Sequence, residues 1–130
     1  MFCLSGTGHR PNKLYKSYKG EEYLLKTLEI VIPRIEKEIH QIDCGLSGLA
    51  LGFDIALAKT FIKFKIPWTA AIPFRGQESK WPANSQKEYH NLLSQATNIV
   101  YVDELNSQPP GYSIDKLQKR NKYLVNECDV

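Results

Sequence analysis

The sequence has no apolar run approaching the ~20 residues that a bilayer span requires. Its opening, Met1-Phe2-Cys3-Leu4, is too short a hydrophobic stretch for a signal peptide. It has no internal repeat and no low-complexity segment. Its three cysteines, Cys3, Cys44 and Cys128, show no Cys-x-x-Cys spacing, which argues against zinc and thioredoxin chemistry. Each sits in an apolar, strand-like stretch and is expected to be a small buried hydrophobe. Free thiols suit a reducing compartment, so the expected location is cytoplasmic, with no membrane partner. No metal and no cofactor is expected. A strong excess of one charge is also missing: 17 basic against 14 acidic residues give +3. The lysines concentrate only mildly, around Lys13 to Lys19 and Lys116 to Lys122. A duplex-binding protein usually carries a clustered basic face, whereas a small anionic ligand needs one or two such groups.

What is present is an ordinary globular balance: 130 residues, one domain's worth, 42% of them apolar. Phe2 to Ser5, Ile42 to Leu46, Trp68 to Ile72 and Asn98 to Val102 read as short strands, and Cys128 to Val130 as the opening of a fifth. Between them, Tyr23 to Ile39, Leu51 to Phe64, Ala83 to Ala96 and Ser113 to Asn126 carry the 3.6-residue apolar period of helices. Pro33 lies inside the first helix, where it can introduce a kink. Ser113 is placed to cap the last, whose apolar face reads as Ile114, Leu117, Leu124 and Val125. Glu104 to Tyr112, rich in proline, glycine and serine, is the candidate lid. Alternating short strands and helices specify an α/β fold: a single Rossmann-like three-layer domain with a mainly parallel sheet of about five strands.

In open parallel sheets ligands bind outside the carboxyl ends of the strands, so the segments after each strand are the ones to inspect. The first is Gly6-Thr7-Gly8-His9-Arg10-Pro11. Its glycines permit close backbone approach, and Thr7, His9 and Arg10 offer donors, Arg10 with phosphate-binding geometry. The second is Ser47-Gly48-Leu49-Ala50-Leu51-Gly52, at a helix start where free N–H groups attract anions. Asp54, a turn later, is suited to a ribose hydroxyl. The Gly-Lys-Ser/Thr ending of a Walker loop is missing. The bland alternative for this stretch is tight helix–strand packing. The third is Pro73-Phe74-Arg75-Gly76-Gln77 with Trp81 nearby, in which Phe74 or Trp81 can stack on a base and Gln77 can read its edge, or the two aromatics can simply cap the core. Lys119, Arg120 and Lys122 would ordinarily form a solvated helix face.

Several blocks together resemble a known family. Thr7-Gly8-His9-Arg10-Pro11 resembles the opening of the YpsA-like branch of the SLOG superfamily, which groups the DNA-processing protein DprA with the LOG proteins of cytokinin activation. Ser47 to Asp54 is similar to that family's SG-x-ALG-x-D element. Ala71-Ile72-Pro73-Phe74, followed by Gly76-Gln77, Trp81 and Tyr89, resembles its next block, and Arg120-Asn121-Lys122-Tyr123 with Val125 and Asp129 a later one. The resemblance implies a Rossmann-like fold binding nucleotide-type small molecules at the strand carboxyl ends. It raises Arg120 and Asn121 to site residues, because Leu117-x-x-Arg120 lies where LOG enzymes carry a catalytic arginine. It also implies a Gly-Gly-Thr loop after the fifth strand, which is not found up to Val130. The chain is therefore expected to be a truncated form or to have lost hydrolysis, with an exposed strand edge favouring a homo-oligomer.

Three readings follow from these residues and this resemblance. The leading one is binding or sensing of a nucleoside phosphate or an ADP-ribose-type signal, as in some antiphage SLOG domains. The second is a LOG-like nucleoside 5′-monophosphate phosphoribohydrolase, with Arg120 as the candidate catalytic residue. The third is a DprA-like module binding single-stranded nucleic acid or protein, which the low net charge disfavours.

Overall fold

The computed structural model describes residues 1–8 and 19–129. The described chain runs β1 (Cys3–Ser5), α1 (Lys19–Glu38), β2 (Cys44–Ser47), α2 (Phe53–Lys63), β3 (Trp68–Ile72), α3 (Ala83–Ser94), β4 (Asn98–Tyr101), α4 (Val102–Leu105) and α5 (Ile114–Asn126). The strands form one parallel sheet in the order β1-β2-β3-β4. Leu4 lies opposite Gly45, Gly45 opposite Trp68, and Ala70 opposite Ile99. The fold is Rossmann-like α/β.

The helices α1, α2 and α3 pack on one face of the sheet, as the rule of right-handed crossovers running in one direction requires. That face holds the larger core: Leu28 and Ile32 of α1, Ile55 and Phe61 of α2, and Tyr89 and Leu92 of α3, closing on Leu4, Trp68, Ala70 and Ile72 of the sheet. Successive strand residues alternate faces, so Leu46 and Ala71 point the other way and meet Leu124 of α5 in a second, smaller cluster. Gly45 lets α2 approach the sheet closely, because a Cβ there would overlap the Phe61 ring.

The sheet has four strands among the described residues, where about five were expected. The chain does return beside β1, as a fifth strand would: the Asp129 N–H donates to the Cys3 carbonyl at 2.8 Å. The Cys3 N–H in turn donates to the Asp129 carboxylate, also at 2.8 Å. Among the described residues the order β1-β2-β3-β4 contains no reversal, and Asp129 docks beside β1.

Two further expectations are corrected. Cys3 and Cys44 are register partners on adjacent strands and form a disulfide, with Cα atoms 4.7 Å apart, which leaves Cys128 as the free thiol. The last helix does begin on a Ser113 cap, whose hydroxyl accepts from the Lys116 N–H at 3.2 Å, but it is rotated from the expected apolar face. Ile114 and Val125 are exposed, and the buried positions are Lys116, Arg120 and Leu124. Pro33 is accommodated within α1. No helix among the described residues is long and apolar enough to cross a membrane.

The close approach at Gly45 makes a direct prediction. Gly45→Ala should destabilise the fold by about 1–3 kcal/mol through overpacking against Phe61, read as a lowered denaturation midpoint with an unchanged m-value in urea.

Candidate functional site

The loop between β2 and α2 is a tight turn held by its own side chains. Leu49 is buried with φ +54°, a left-handed conformation costly for a branched side chain, and Gly52 follows at φ +95°. The strained turn brings the Leu49 N–H to the Ser47 hydroxyl oxygen at 3.2 Å, while that hydroxyl donates to the Asp54 carbonyl at 2.7 Å. Ser47 thus ties the turn to the first turn of α2, and its hydroxyl proton is already committed.

Arg120 arrives from α5, 72 residues further along the chain, and its Nη1 donates to the Gly48 carbonyl at 3.2 Å. Gln77, from the loop after β3, donates to the same carbonyl at 3.0 Å. Gly48 must be glycine for this meeting, since a Cβ would fall on the guanidinium, 2.7 Å from its central carbon. Asn121 steadies the arginine by accepting from its Nε at 3.0 Å.

Asp54 stands next to Arg120, with 3.9 Å between Oδ2 and Nη1, and both are almost fully buried. Burial pushes the Asp54 carboxyl up to about 6, opposed by the charge of Arg120 and by a hydrogen bond from the Ala50 backbone. Its Oδ1 is buried and has no hydrogen-bond partner among the described residues. An unsatisfied buried carboxylate oxygen is costly, and a ligand hydroxyl is one group that would relieve it.

Beside this cluster lies a pocket of about 300 Å³ lined by Phe74, Gly76, Gln77, Ser79, Lys80, Trp81 and Tyr112. Gln77 belongs to both, so the pocket and the Arg120–Asp54 pair share a wall. The volume is at the lower end of small-molecule sites.

The structure brings Ser47, Gly48, Leu49, Asp54, Gln77, Arg120 and Asn121 together. Ala50 joins them through its hydrogen bond to Asp54. Pro73 is buried at the end of β3. Gly6 and Gly8 pack on Phe53, where Cβ atoms would come within 2.9 and 2.6 Å of its side chain. Thr7 is exposed. His9 and Arg10 lie outside the described residues. Phe74 and Trp81 line the pocket but are only 7% and 9% exposed. The Gln77 side chain also hydrogen-bonds Tyr89, whose hydroxyl burial pushes up to about 12, so its amide donor serves the protein.

Three residues escaped the sequence reading, among them Lys80, which lines the pocket. Lys116 is buried and paired with Asp103 at 3.1 Å, and Tyr112 stands exposed at the pocket. The inward i, i+4, i+8 spacing of Lys116, Arg120 and Leu124 was the available signal. It was hidden because two of the three are charged.

The YpsA family model, described as the YspA SLOG family, matches residues 6–130. The chain belongs to this SLOG family. It is 29% identical over 137 residues to a UPF0398 protein of Halalkalibacterium halodurans, covering 99% of this chain and 69% of that protein. It is 32% identical over 123 residues to the uncharacterized SPbeta prophage-derived protein YoqJ of Bacillus subtilis, covering 86% of this chain and 69% of that one.

Two outcomes follow from the geometry. Ser47→Ala removes two buried hydrogen bonds and should cost about 1–3 kcal/mol of stability, measured by chemical denaturation. A carboxyl raised in the folded state above its ordinary value of 3.8 holds its proton longer when folded than when unfolded. Its contribution to stability therefore falls as pH rises from about 4 to about 6, then levels off. Asp54→Asn should flatten that part of the stability–pH profile.

Proposed function

We propose that this SLOG-family chain binds a nucleotide-derived ligand, a nucleoside phosphate or an ADP-ribose-type molecule, at the carboxyl ends of its strands. The observation that carries this reading is the shared wall at Gln77. One face of it closes an aromatic pocket of about 300 Å³, and the other fixes the Gly48 carbonyl against Arg120. Lys80 lines the pocket with an exposed ammonium group for an anion. The buried Asp54 Oδ1 is an unused acceptor for a hydroxyl. On this reading the polypeptide supplies recognition without metal or cofactor.

A hydrolytic reading draws on one specific observation: a carboxyl held near 6 next to a guanidinium. Such a pairing suits general acid–base work near neutral pH. Release of free base from nucleoside 5′-monophosphates, lost in Asp54→Asn, would favour hydrolysis over simple binding.

The test is a thermal-shift panel of AMP, CMP, NAD, ADP-ribose and cyclic ADP-ribose isomers. A ligand at ~100 times its dissociation constant should stabilise the native state by about 2.7 kcal/mol. A well-folded sample that shifts with none of them overturns the proposal. Arg120→Lys keeps the charge but loses the forked donor geometry. It should weaken binding of whichever nucleotide shifts the wild-type chain.

A further inference from the structure

The two aromatic residues that the strand-end loop offers for stacking have their rings committed elsewhere. Phe74 meets Tyr112 edge-on, at 5.8 Å and 81°, and lies 6.0 Å from the Lys116 ammonium. Trp81 meets Tyr89 edge-on at 5.4 Å and 86°. Both are nearly buried. Tyr112 lines the same pocket and is 67% exposed.

An exposed ring in a loop rich in proline and glycine would ordinarily be mobile, and ordering it on binding would cost entropy. This loop is fastened. The Lys116 ammonium, 4% exposed, donates to the Asp103 carboxylate at 3.1 Å, to the Gly111 carbonyl at 2.6 Å and to the Pro109 carbonyl. Three acceptors use all three of its protons. Gly111 immediately precedes Tyr112, and the Ser113 cap of α5 immediately follows it. The tyrosine backbone is thus held on both sides, and its ring is braced on Phe74.

We infer that Tyr112 is the platform on which the planar heteroaromatic part of the ligand stacks, and that Lys116 is a positioning residue that holds this platform in place. Lys80, on the same pocket, would meet the ligand's anionic part. The ligand class is therefore a planar ring joined to a phosphate. The inference rests on the pocket reading given above and adds the residues that select the ring.

The experiment compares AMP with ribose 5-phosphate, which lacks the ring, by calorimetric titration of the full chain. Because Tyr112 is exposed, Tyr112→Ala should fold normally. It should lose about tenfold or more in AMP affinity and nothing for ribose 5-phosphate, while Tyr112→Phe keeps AMP affinity. Lys116→Met should also weaken AMP selectively. The double variant should be no weaker than Tyr112→Ala alone, as expected when one residue acts through the other. Additive losses, or equal losses for both ligands, overturn the positioning role. Undiminished AMP binding by Tyr112→Ala overturns the platform. If Lys116→Met does not fold, Asp103→Asn replaces it in the same cycle with the same criteria. Should the wild-type chain bind neither probe, the inference fails; should no nucleotide of the thermal-shift panel bind either, the pocket reading fails with it. AMP binding that survives Tyr112→Ala sinks the inference alone.

Discussion

Everything at the strand carboxyl ends depends on a side chain being absent at residue 48. The Arg120 guanidinium occupies the space a Cβ would take. From there it reaches the Gly48 carbonyl and stands 3.9 Å from Asp54. A buried arginine pays a large desolvation cost and persists only when its donors are used and a counter-charge is near. The turn from Ser47 to Asp54 meets these needs, and it is itself kept in shape by the Ser47 hydroxyl and a left-handed Leu49. α5, the helix that covers the second face of the sheet, is thereby locked to β2 and α2 on the first. The cluster joins the two sides of the fold at the edge where an α/β sheet offers its ligand site.

Lys116 repeats this logic one turn earlier on the same helix. Its partner is Asp103 in α4, and its remaining protons hold carbonyls of the connecting loop. Two consecutive inward positions of α5 are cationic, and each is matched by a buried carboxylate from a different strand end, Asp54 after β2 and Asp103 after β4. Removing one member of such a pair leaves an uncompensated buried charge, a costlier event than losing an exposed pair. The helix is therefore fixed in rotation by electrostatics, and Leu124 completes the face with ordinary apolar packing.

That is also where reading the sequence alone succeeds and where it stops. The strands were legible as short apolar runs and the first three helices by their 3.6-residue apolar period, and the parallel sheet follows from their alternation. The turn at Gly48 was legible as glycine-rich chemistry at a strand end. The inward face of α5 was not, because it is written in charges: a run such as Lys116 to Lys122 looks solvated, and Ile114 and Val125 look buried, when the reverse holds for the two cations that matter. Only family resemblance singled out Arg120, and nothing singled out Lys116. The pairing of Cys3 with Cys44 was equally hidden, since it depends on strand register and not on spacing along the chain.

The two ion pairs divide the site into parts of different character. Asp54 and Arg120 are almost closed to solvent and tied into the core turn, so their geometry is set before any ligand arrives. The Tyr112 ring and the Lys80 ammonium are open to solvent, on loops after β4 and β3 that can change residue by residue without disturbing the sheet. A preorganised floor lowers the ordering cost of binding for any ligand that fits the fold, but it discriminates little among such ligands. Discrimination falls to the exposed wall. On the proposed reading, the buried turn supplies the fixed part of the site, and the loop that carries Tyr112 is where selection of the planar group would be made.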